Sequence, residues 1–208
     1  MNVGIFGGAF DPPHLAHLVV AETARDQFDL ERVLWIPSRI PPHKEHPQAA
    51  PEERLAMTRR AIDDHAAFFV SDLELTREGG PSYTVETVRQ LQDDHPDASY
   101  VLILGEDSLH GFHSWRAPDE IARRVSLVAY ERGACDDEER AADPFVRQAA
   151  FVDAPRIELS STKVRERCRA GRSVRYLVPS SVDAYIQEHG LYGAADRKPQ
   201  TADGGSPG

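Results

Sequence analysis

Short apolar runs that end at glycine or proline alternate along the chain with longer, more polar segments. The apolar runs are predicted as strands: "NVGIF" (2–6), "RVLWIP" (32–37), "FFVSDLEL" (68–75), "SYVLILG" (99–105) and "VSLVAYE" (125–131). Because 99–105 is the most apolar of them, it is predicted as a central strand of a parallel sheet.

The longer segments are predicted as helices: 14–28, 51–65, 83–95, 117–124, 161–171 and 179–190. The first helix carries Leu15, Leu18 and Val19 on one face, and Ser180 is the expected N-cap of the last helix. Strands that alternate with helices predict parallel βαβ units in an α/β fold with an open, doubly wound, Rossmann-like sheet. Ligands of such sheets bind at the carboxyl ends of the strands, near the topological switch point.

The length and composition fit one globular domain. The chain has 208 residues, of which 40% are hydrophobic and 28% charged. We expect a single domain over residues 1–192. Residues 193–208 are expected to form a disordered tail, because "AADRKPQTADGGSPG" (194–208) contains no large apolar side chain.

The charge balance limits the classes of partner. With 34 acidic and 24 basic residues the net charge is -10, which argues against nucleic acid as a partner. No apolar run reaches the length of a membrane span. Cys135 and Cys168 have no metal-like spacing, and the N-terminus enters a strand pattern directly, so a reduced cytoplasm is expected. The sequence leaves the oligomeric state open, a homo-oligomer included.

The opening stretch "GIFGGAFDPPHLAHL" (4–18) places a glycine turn between a strand and a helix. That geometry aims a helix N-terminus at an anion, and Gly7 and Gly8 let the backbone approach a ligand. His14 and His17 lie three residues apart, where both can donate to phosphate oxygens. A plain turn with surface histidines is the alternative. A zinc site is disfavoured, because no third ligand is evident.

The segment "GGAFDPPHLAHL" resembles the phosphate-binding signature G-[GT]-F-D-P-x-H-x-G-H of the nucleotidyltransferase superfamily. The resemblance implies that Gly8, Phe10 and the loop after them contact substrate. It also implies that His14 and His17 hold the phosphates of ATP. The sequence departs from the signature at Ala16, where the superfamily has glycine.

Four later motifs narrow the resemblance: "IPPHK" (40–44), "PSYTVETV" (81–88), "LGEDSLHGFHSW" (104–115) and "LSSTKVRER" (159–167). Together they are similar to the bacterial nicotinate mononucleotide adenylyltransferases, over about residues 2–192. The resemblance implies transfer of AMP from ATP to nicotinate mononucleotide, giving deamido-NAD and pyrophosphate. Mg²⁺ is the expected ion, held mainly by ATP phosphates and not by a protein ligand.

The motif "LSSTKVR" places hydroxyl groups where a helix begins. Hydroxyls and N–H groups there suit a phosphate, and Arg165 adds a bidentate donor. The alternative is ordinary N-capping by Ser160 or Ser161. The resemblance implies that Ser161, Thr162 and Arg165 contact the ATP phosphates.

Two further motifs complete the expected ATP site. Gly105 and Asp107 follow the central strand, where a carboxylate can bind a ribose hydroxyl, although Asp107 could instead cap a helix. Lys44 lies in a loop stiffened by prolines, and a solvated loop charge is the alternative there. We expect His14, His17, Lys44 and Arg165 to balance the charge of the leaving pyrophosphate; the lysine and the arginine complete this catalytic set.

The remaining candidates concern the pyridine ring. Trp115 follows the polar segment "HGFHS", where an indole can stack on an aromatic ligand, although tryptophan is more often a core residue. The resemblance places this Trp against the pyridine. The first N–H groups of the helix at Tyr83 and Thr84 can bind a carboxylate. Arg116 is assigned to the same site without a defined side-chain role.

Three alternatives stay open from the sequence. The first is a sister enzyme, such as phosphopantetheine adenylyltransferase or a cytidylyltransferase, against which "PSYT" and Trp115 argue. The second is an NAD-dependent oxidoreductase, which the missing G-x-G-x-x-G disfavours. The third is a non-catalytic nucleotide sensor.

Overall fold

The computed structural model describes residues 1–40, 46–77, 80–130 and 143–196, and it contains a six-stranded parallel sheet. The strands are β1 (Asn2–Gly8), β2 (Arg32–Pro37), β3 (Phe68–Val70), β4 (Ser99–Gly105), β5 (Ser126–Tyr130) and β6 (Ala150–Val152). Their order is β3-β2-β1-β4-β5-β6, and every neighbouring pair is parallel. The doubly wound sheet is therefore confirmed, and its switch point lies between β1 and β4.

Helices cover both faces of the sheet. They are α1 (Leu15–Gln27), α2 (Pro51–Ala61), α3 (Leu73–Thr76), α4 (Thr84–Asp94), α5 (Glu106–His110), α6 (Pro118–Arg124), α7 (Pro144–Gln148), α8 (Ser161–Arg169) and α9 (Ser180–Glu188), with 3₁₀ turns at Phe112–Ser114 and Leu191–Asp196. No helix of the described ranges is long and apolar enough to cross a membrane.

The sheet separates two hydrophobic cores, as its alternating side chains require. Phe6 of β1 packs into the core beneath α1, α2, α8 and α9, with Trp35 and Val164. Its neighbour Ile5 packs into the opposite core, beneath α4, α5 and α6, with Leu102. Both cores reach the central strands, so β1 and β4 are buried on both faces and hold their carboxyl ends in fixed positions.

The structure corrects the predicted third strand and the predicted last N-cap. Only Phe68–Val70 is a strand, because Asp72 C=O accepts hydrogen bonds from the N–H groups of Leu75 and Thr76 and closes a helical turn. The N-cap of α9 is Pro179, and Ser180 is the first helical residue. The predicted sheet also lacked β6, whose three residues carry too little pattern to stand out.

Two further details differ from the sequence-based expectations: the buried face of α1 and the start of the C-terminal tail. The fully buried face of α1 carries His17, Val20, Ala21 and Ala24, whereas Leu18 of the predicted face packs against the core only in part. The expected tail began at residue 193, but Ala194 is only 3% exposed within the core. The chain is therefore packed against the domain at least as far as that alanine.

Candidate functional site

One cavity of about 650 Å³ opens at the carboxyl ends of β1 and β4. Every site residue predicted from the sequence lines it, except for Lys44, which lies outside the described residues. The lining residues among those predicted are Gly7, Gly8, Phe10, His14, His17, Tyr83, Thr84, Gly105, Asp107, Trp115, Arg116, Ser161, Thr162 and Arg165. The motifs that are far apart in the sequence therefore meet at the switch point.

The two histidines form a stacked pair at the start of α1. His14 is the N-cap residue, and its N–H donates to Nδ1 of His17 at 3.2 Å. Their ring centroids are 3.6 Å apart, with 18° between the planes. Because Nδ1 of His17 accepts, the neutral ring carries its proton on Nε2, which is therefore a donor.

Phe10 supports this pair from the core. Its side chain is only 2% exposed, and its ring centroid lies 5.2 Å from that of His17 and 5.1 Å from that of Trp35. The expected substrate contact of Phe10 is therefore limited to what its backbone presents. Gly8 faces this ring, since an added Cβ would lie 3.1 Å from it, whereas a Cβ at Gly7 would meet nothing within 4 Å.

Asp11 precedes the histidine pair and was not predicted as a site residue. It is buried, and it connects three parts of the chain. Its carboxylate accepts hydrogen bonds from the N–H groups of Gln48 at 2.8 Å and Ala49 at 3.0 Å. It also accepts from the Tyr192 hydroxyl at 2.8 Å. Its place in the superfamily signature was the available signal, but its partners are distant in sequence.

The start of α8 is joined to the same loop. Ser160 is the N-cap and accepts from the N–H of Lys163 at 3.2 Å. The Ser161 hydroxyl donates to the Pro12 carbonyl at 2.8 Å. Ordinary N-capping is therefore the role of Ser160, and Ser161 instead ties α8 to the loop before His14.

Arg165 links the loop and the helix through its two terminal nitrogens. Nη1 donates to the Asp11 carbonyl at 2.8 Å, and Nη2 donates to the Thr162 hydroxyl at 3.1 Å. Nη1 also lies 3.6 Å from Oδ2 of Asp11. The guanidinium is thus held at the cavity wall, where it gives the acidic protein a local positive charge.

A second arginine lies beneath the cavity and was not predicted. Arg54 is 1% exposed, and its Nη1 donates to the carbonyls of Ala9 and Ser38 at 2.8 and 2.7 Å. Burial lowers the pKa of Arg54. Its contacts fix the loops after β1 and β2 relative to each other, and no motif marks it because backbone carbonyls of any residue would serve.

The start of α4 forms the opposite wall, and Arg116 has a definite place there. Its guanidinium lies 4.7 Å from the centroid of the Tyr83 ring, and Nη1 contacts Oε1 of Glu86 at 2.9 Å. Trp115 packs on Phe112, with ring centroids 5.0 Å apart. The segment "HGFHS" is therefore not wholly polar, since Phe112 is fully buried.

Two carboxylates line the cavity in different environments. Asp107 is exposed in the first turn of α5, whose N-cap is Gly105. Glu74 is buried and accepts from the Thr87 hydroxyl at 2.7 Å. Burial raises the pKa of Glu74, which suits a structural carboxyl behind the start of α4.

The donor set does not form a metal-binding group by itself. Within the described ranges, no three His, Cys, Asp or Glu side chains are grouped to hold a metal ion.

The chain is similar to several known proteins. The Cytidylyltransferase-like family matches residues 5–167. A protein of Salinibacter ruber described as a probable nicotinate-nucleotide adenylyltransferase is 55% identical over 199 residues, covering 94% of this chain and 100% of that protein. A protein of Geobacillus kaustophilus with the same description is 42% identical, covering 93% and 87%.

The fold has a solved counterpart. The Plasmodium falciparum nicotinic acid mononucleotide adenylyltransferase complexed with NaAD superposes with a TM-score of 0.77 at 19% identity, covering 92% of this chain and 97% of that one. At that identity the likeness concerns the fold alone.

Proposed function

The chain belongs to the cytidylyltransferase-like family, as one of its nicotinate-nucleotide adenylyltransferases, and we propose that the cavity at the switch point carries out its reaction. The adenylyl group of ATP passes to the phosphate of nicotinate mononucleotide, giving deamido-NAD and pyrophosphate. The observation that carries the assignment of the site is that two helix starts, the histidine pair and Arg165 converge on one cavity.

The reaction needs no general base from the protein. A phosphate monoester has a second pKa of about 6, so the mononucleotide phosphate is already an anion near neutral pH. It attacks the α-phosphorus of ATP in line, and the bond from that phosphorus to the leaving pyrophosphate breaks. The protein's contribution is then to position both substrates and to stabilise charge.

The residues around the start of α1 supply that stabilisation. The amino end of α1, where His14 lines the cavity, favours negative charge through the helix dipole. His17 donates from Nε2, and His14 lies stacked against it. Arg165 and, in our proposal, Lys44 add positive charge where negative charge develops on pyrophosphate.

A divalent metal ion accompanies ATP in nucleotidyltransferases, and we assign Mg²⁺ here. The ion supplies charge neutralisation on the phosphate oxygens. The described residues contribute no cage for it, so ATP itself would carry the ion into the cavity.

Substrate choice is assigned to the start of α4. The N–H groups of Thr84 and Val85 have no acceptor within the helix, because Tyr83 is its N-cap. A pyridine carboxylate there accepts from these donors while the ring stacks on Trp115. The amide of nicotinamide would place its NH₂ group, itself a donor, against these donors, so one of them would lack an acceptor.

The test is a comparison of acceptors. With Mg²⁺ present, purified protein should release pyrophosphate from ATP with nicotinate mononucleotide, but not from ATP with phosphopantetheine or from CTP with a choline phosphate. Release only with one of the latter would move the protein to a sister activity. Binding of ATP without any release would identify a nucleotide sensor.

A further inference from the structure

The last described turn of the chain reaches back to the catalytic loop. Residues Leu191–Asp196 form a 3₁₀ turn after α9, in which Tyr192 has a left-handed backbone (φ 57°). The Tyr192 ring packs against the core, and its hydroxyl donates to Oδ1 of Asp11 at 2.8 Å. The two residues are 181 positions apart, so the contact joins the two ends of the domain.

The carboxylate of Asp11 receives this bond together with contacts from two other parts of the site. The N–H groups of Gln48 and Ala49 bind it from the segment before α2. Arg165 binds the carbonyl of Asp11 and lies 3.6 Å from its carboxylate. The same residue is followed by the two prolines and His14, so Asp11 adjoins both the histidine loop and Arg165, which we assign to the ATP phosphates.

The tyrosine is suited to act as a permanent donor. Burial and the adjacent Asp11 carboxylate raise the pKa of Tyr192 well above its usual value. The hydroxyl therefore keeps its proton near neutral pH. Asp11 is only 3% exposed, so water cannot readily replace a donor that is lost.

We propose that Tyr192 is a positioning residue for adenylyl transfer, acting through Asp11 on the histidine loop and on Arg165. The inference rests on the proposed function. Tyr192 is not among the residues that line the cavity, so its hydroxyl is assigned no contact with substrate. Its effect on the reaction is to fix the position of groups that do line the cavity.

The test compares Tyr192→Phe with Tyr176→Phe, since the side chain of Tyr176 is 77% exposed and lies outside the site. A displacement of about 1 Å at a reacting group can cost about 100-fold, and half of that shift should cost on the order of tenfold. We expect Tyr192→Phe to lower kcat about tenfold while the KM for nicotinate mononucleotide stays within about twofold. Tyr176→Phe should leave both constants within about twofold.

Two measurements separate positioning from mere loss of folded protein. The folded fraction is followed by circular dichroism at the assay temperature, and kcat is referred to folded enzyme. The substitution is then repeated on an Asp11→Asn background, where the acceptor is already changed. We expect the tenfold effect of Tyr192→Phe to shrink to less than about twofold there, because coupled residues are not additive.

The wild type is assayed first, so that failure of the proposed function is seen separately as absent pyrophosphate release. With an active wild type, an unchanged kcat in Tyr192→Phe overturns the inference. So does a loss that matches the unfolded fraction, or one that is equally large on both backgrounds. If Tyr192→Phe does not fold, Asp11→Asn tests the junction from the other side, and full turnover in that variant overturns it.

Discussion

The cavity has two walls that are built in different ways. The first, here the phosphate side, consists of His14, His17 and Arg165; the second, the pyridine side, consists of Tyr83, Thr84, Trp115 and Arg116. On the phosphate side His14 is 2% exposed and the Arg165 side chain is 12% exposed. On the pyridine side the Arg116 side chain is 58% exposed. The walls therefore differ in how far water screens their charges.

This difference suggests which wall governs turnover (kcat) and which governs the choice of substrate. Charged hydrogen bonds in a water-poor site are strong and keep their geometry as charge develops, so the phosphate side should govern turnover. An exposed ion pair such as Arg116–Glu86 contributes only about 0–1 kcal/mol. We therefore assign substrate choice on the pyridine side to backbone N–H groups, and to Arg116 the task of holding Tyr83 in place.

The largest predicted effect lies on the phosphate side. His17→Ala removes one preorganised donor and should lower kcat by about 10²–10³, with the KM for nicotinate mononucleotide nearly unchanged. The matched control is His95→Ala, since His95 is exposed at the end of α4. Steady-state kinetics with saturating Mg-ATP measure both variants. Full turnover in His17→Ala would refute the role of the histidine.

The second prediction concerns the pyridine side and the choice between acid and amide. The dipole of α4 contributes roughly 0.3–1 kcal/mol toward a carboxylate, and hydrogen bonds to a charged group contribute roughly 1.5–3 kcal/mol. We expect a preference for nicotinate over nicotinamide mononucleotide of on the order of 30- to 1000-fold in kcat/KM. Trp115→Ala should lower both values alike, because stacking does not distinguish the two groups. A changed ratio in that variant would assign discrimination to the indole.

The third prediction separates the wall of the cavity from the core beneath it. Gly7→Ala adds a methyl group where nothing lies within 4 Å, and Gly4→Ala adds one at 2.9 Å from Leu30 and 3.1 Å from Ile103. Gly7→Ala should lower kcat/KM about tenfold, equal to about 1.4 kcal/mol, at an almost unchanged Tm. Gly4→Ala should cost about 1–3 kcal/mol of stability, or several degrees in Tm. Reversed results would mean that the phosphate side does not depend on close backbone approach.

The last prediction is that deleting the C-terminal residues has no effect. Residues 197–208 carry no large apolar side chain, so their deletion should leave kcat and Tm unchanged. A deletion that begins at residue 191 removes Tyr192 and the buried Ala194 and should lower both quantities. Thermal unfolding and the pyrophosphate assay compare the two truncated chains. A fall of several degrees in the shorter deletion would show that its residues bind to the domain.

The sequence predicted best what depends on local pattern. The strands at 32–37 and 99–105 have the observed bounds, because a short apolar run that stops at proline or glycine has few other interpretations. The histidine pair was found because it lies in a strand–turn–helix motif, and the start of α8 because hydroxyl residues precede a helical pattern. Their meeting in one cavity followed from the parallel order of the strands.

What the sequence did not predict depends on contacts between distant residues. Arg54 binds backbone carbonyls, which no side-chain pattern records, and Tyr192 meets Asp11 across most of the chain. Phe10 was expected at the substrate, yet its ring supports His17 from the core. For Phe10 the motif identified the loop correctly, but the packing decided which way its side chain faces.

One measurement tests the division between the two walls most directly: the ratio of kcat/KM for nicotinate and nicotinamide mononucleotides, in the wild type and in His17→Ala. The account predicts that both values fall by about 10²–10³ in the variant, while their ratio stays within the wild-type range of roughly 30 to 1000. Equal values in the wild type, or a ratio that falls toward one in His17→Ala, would contradict it.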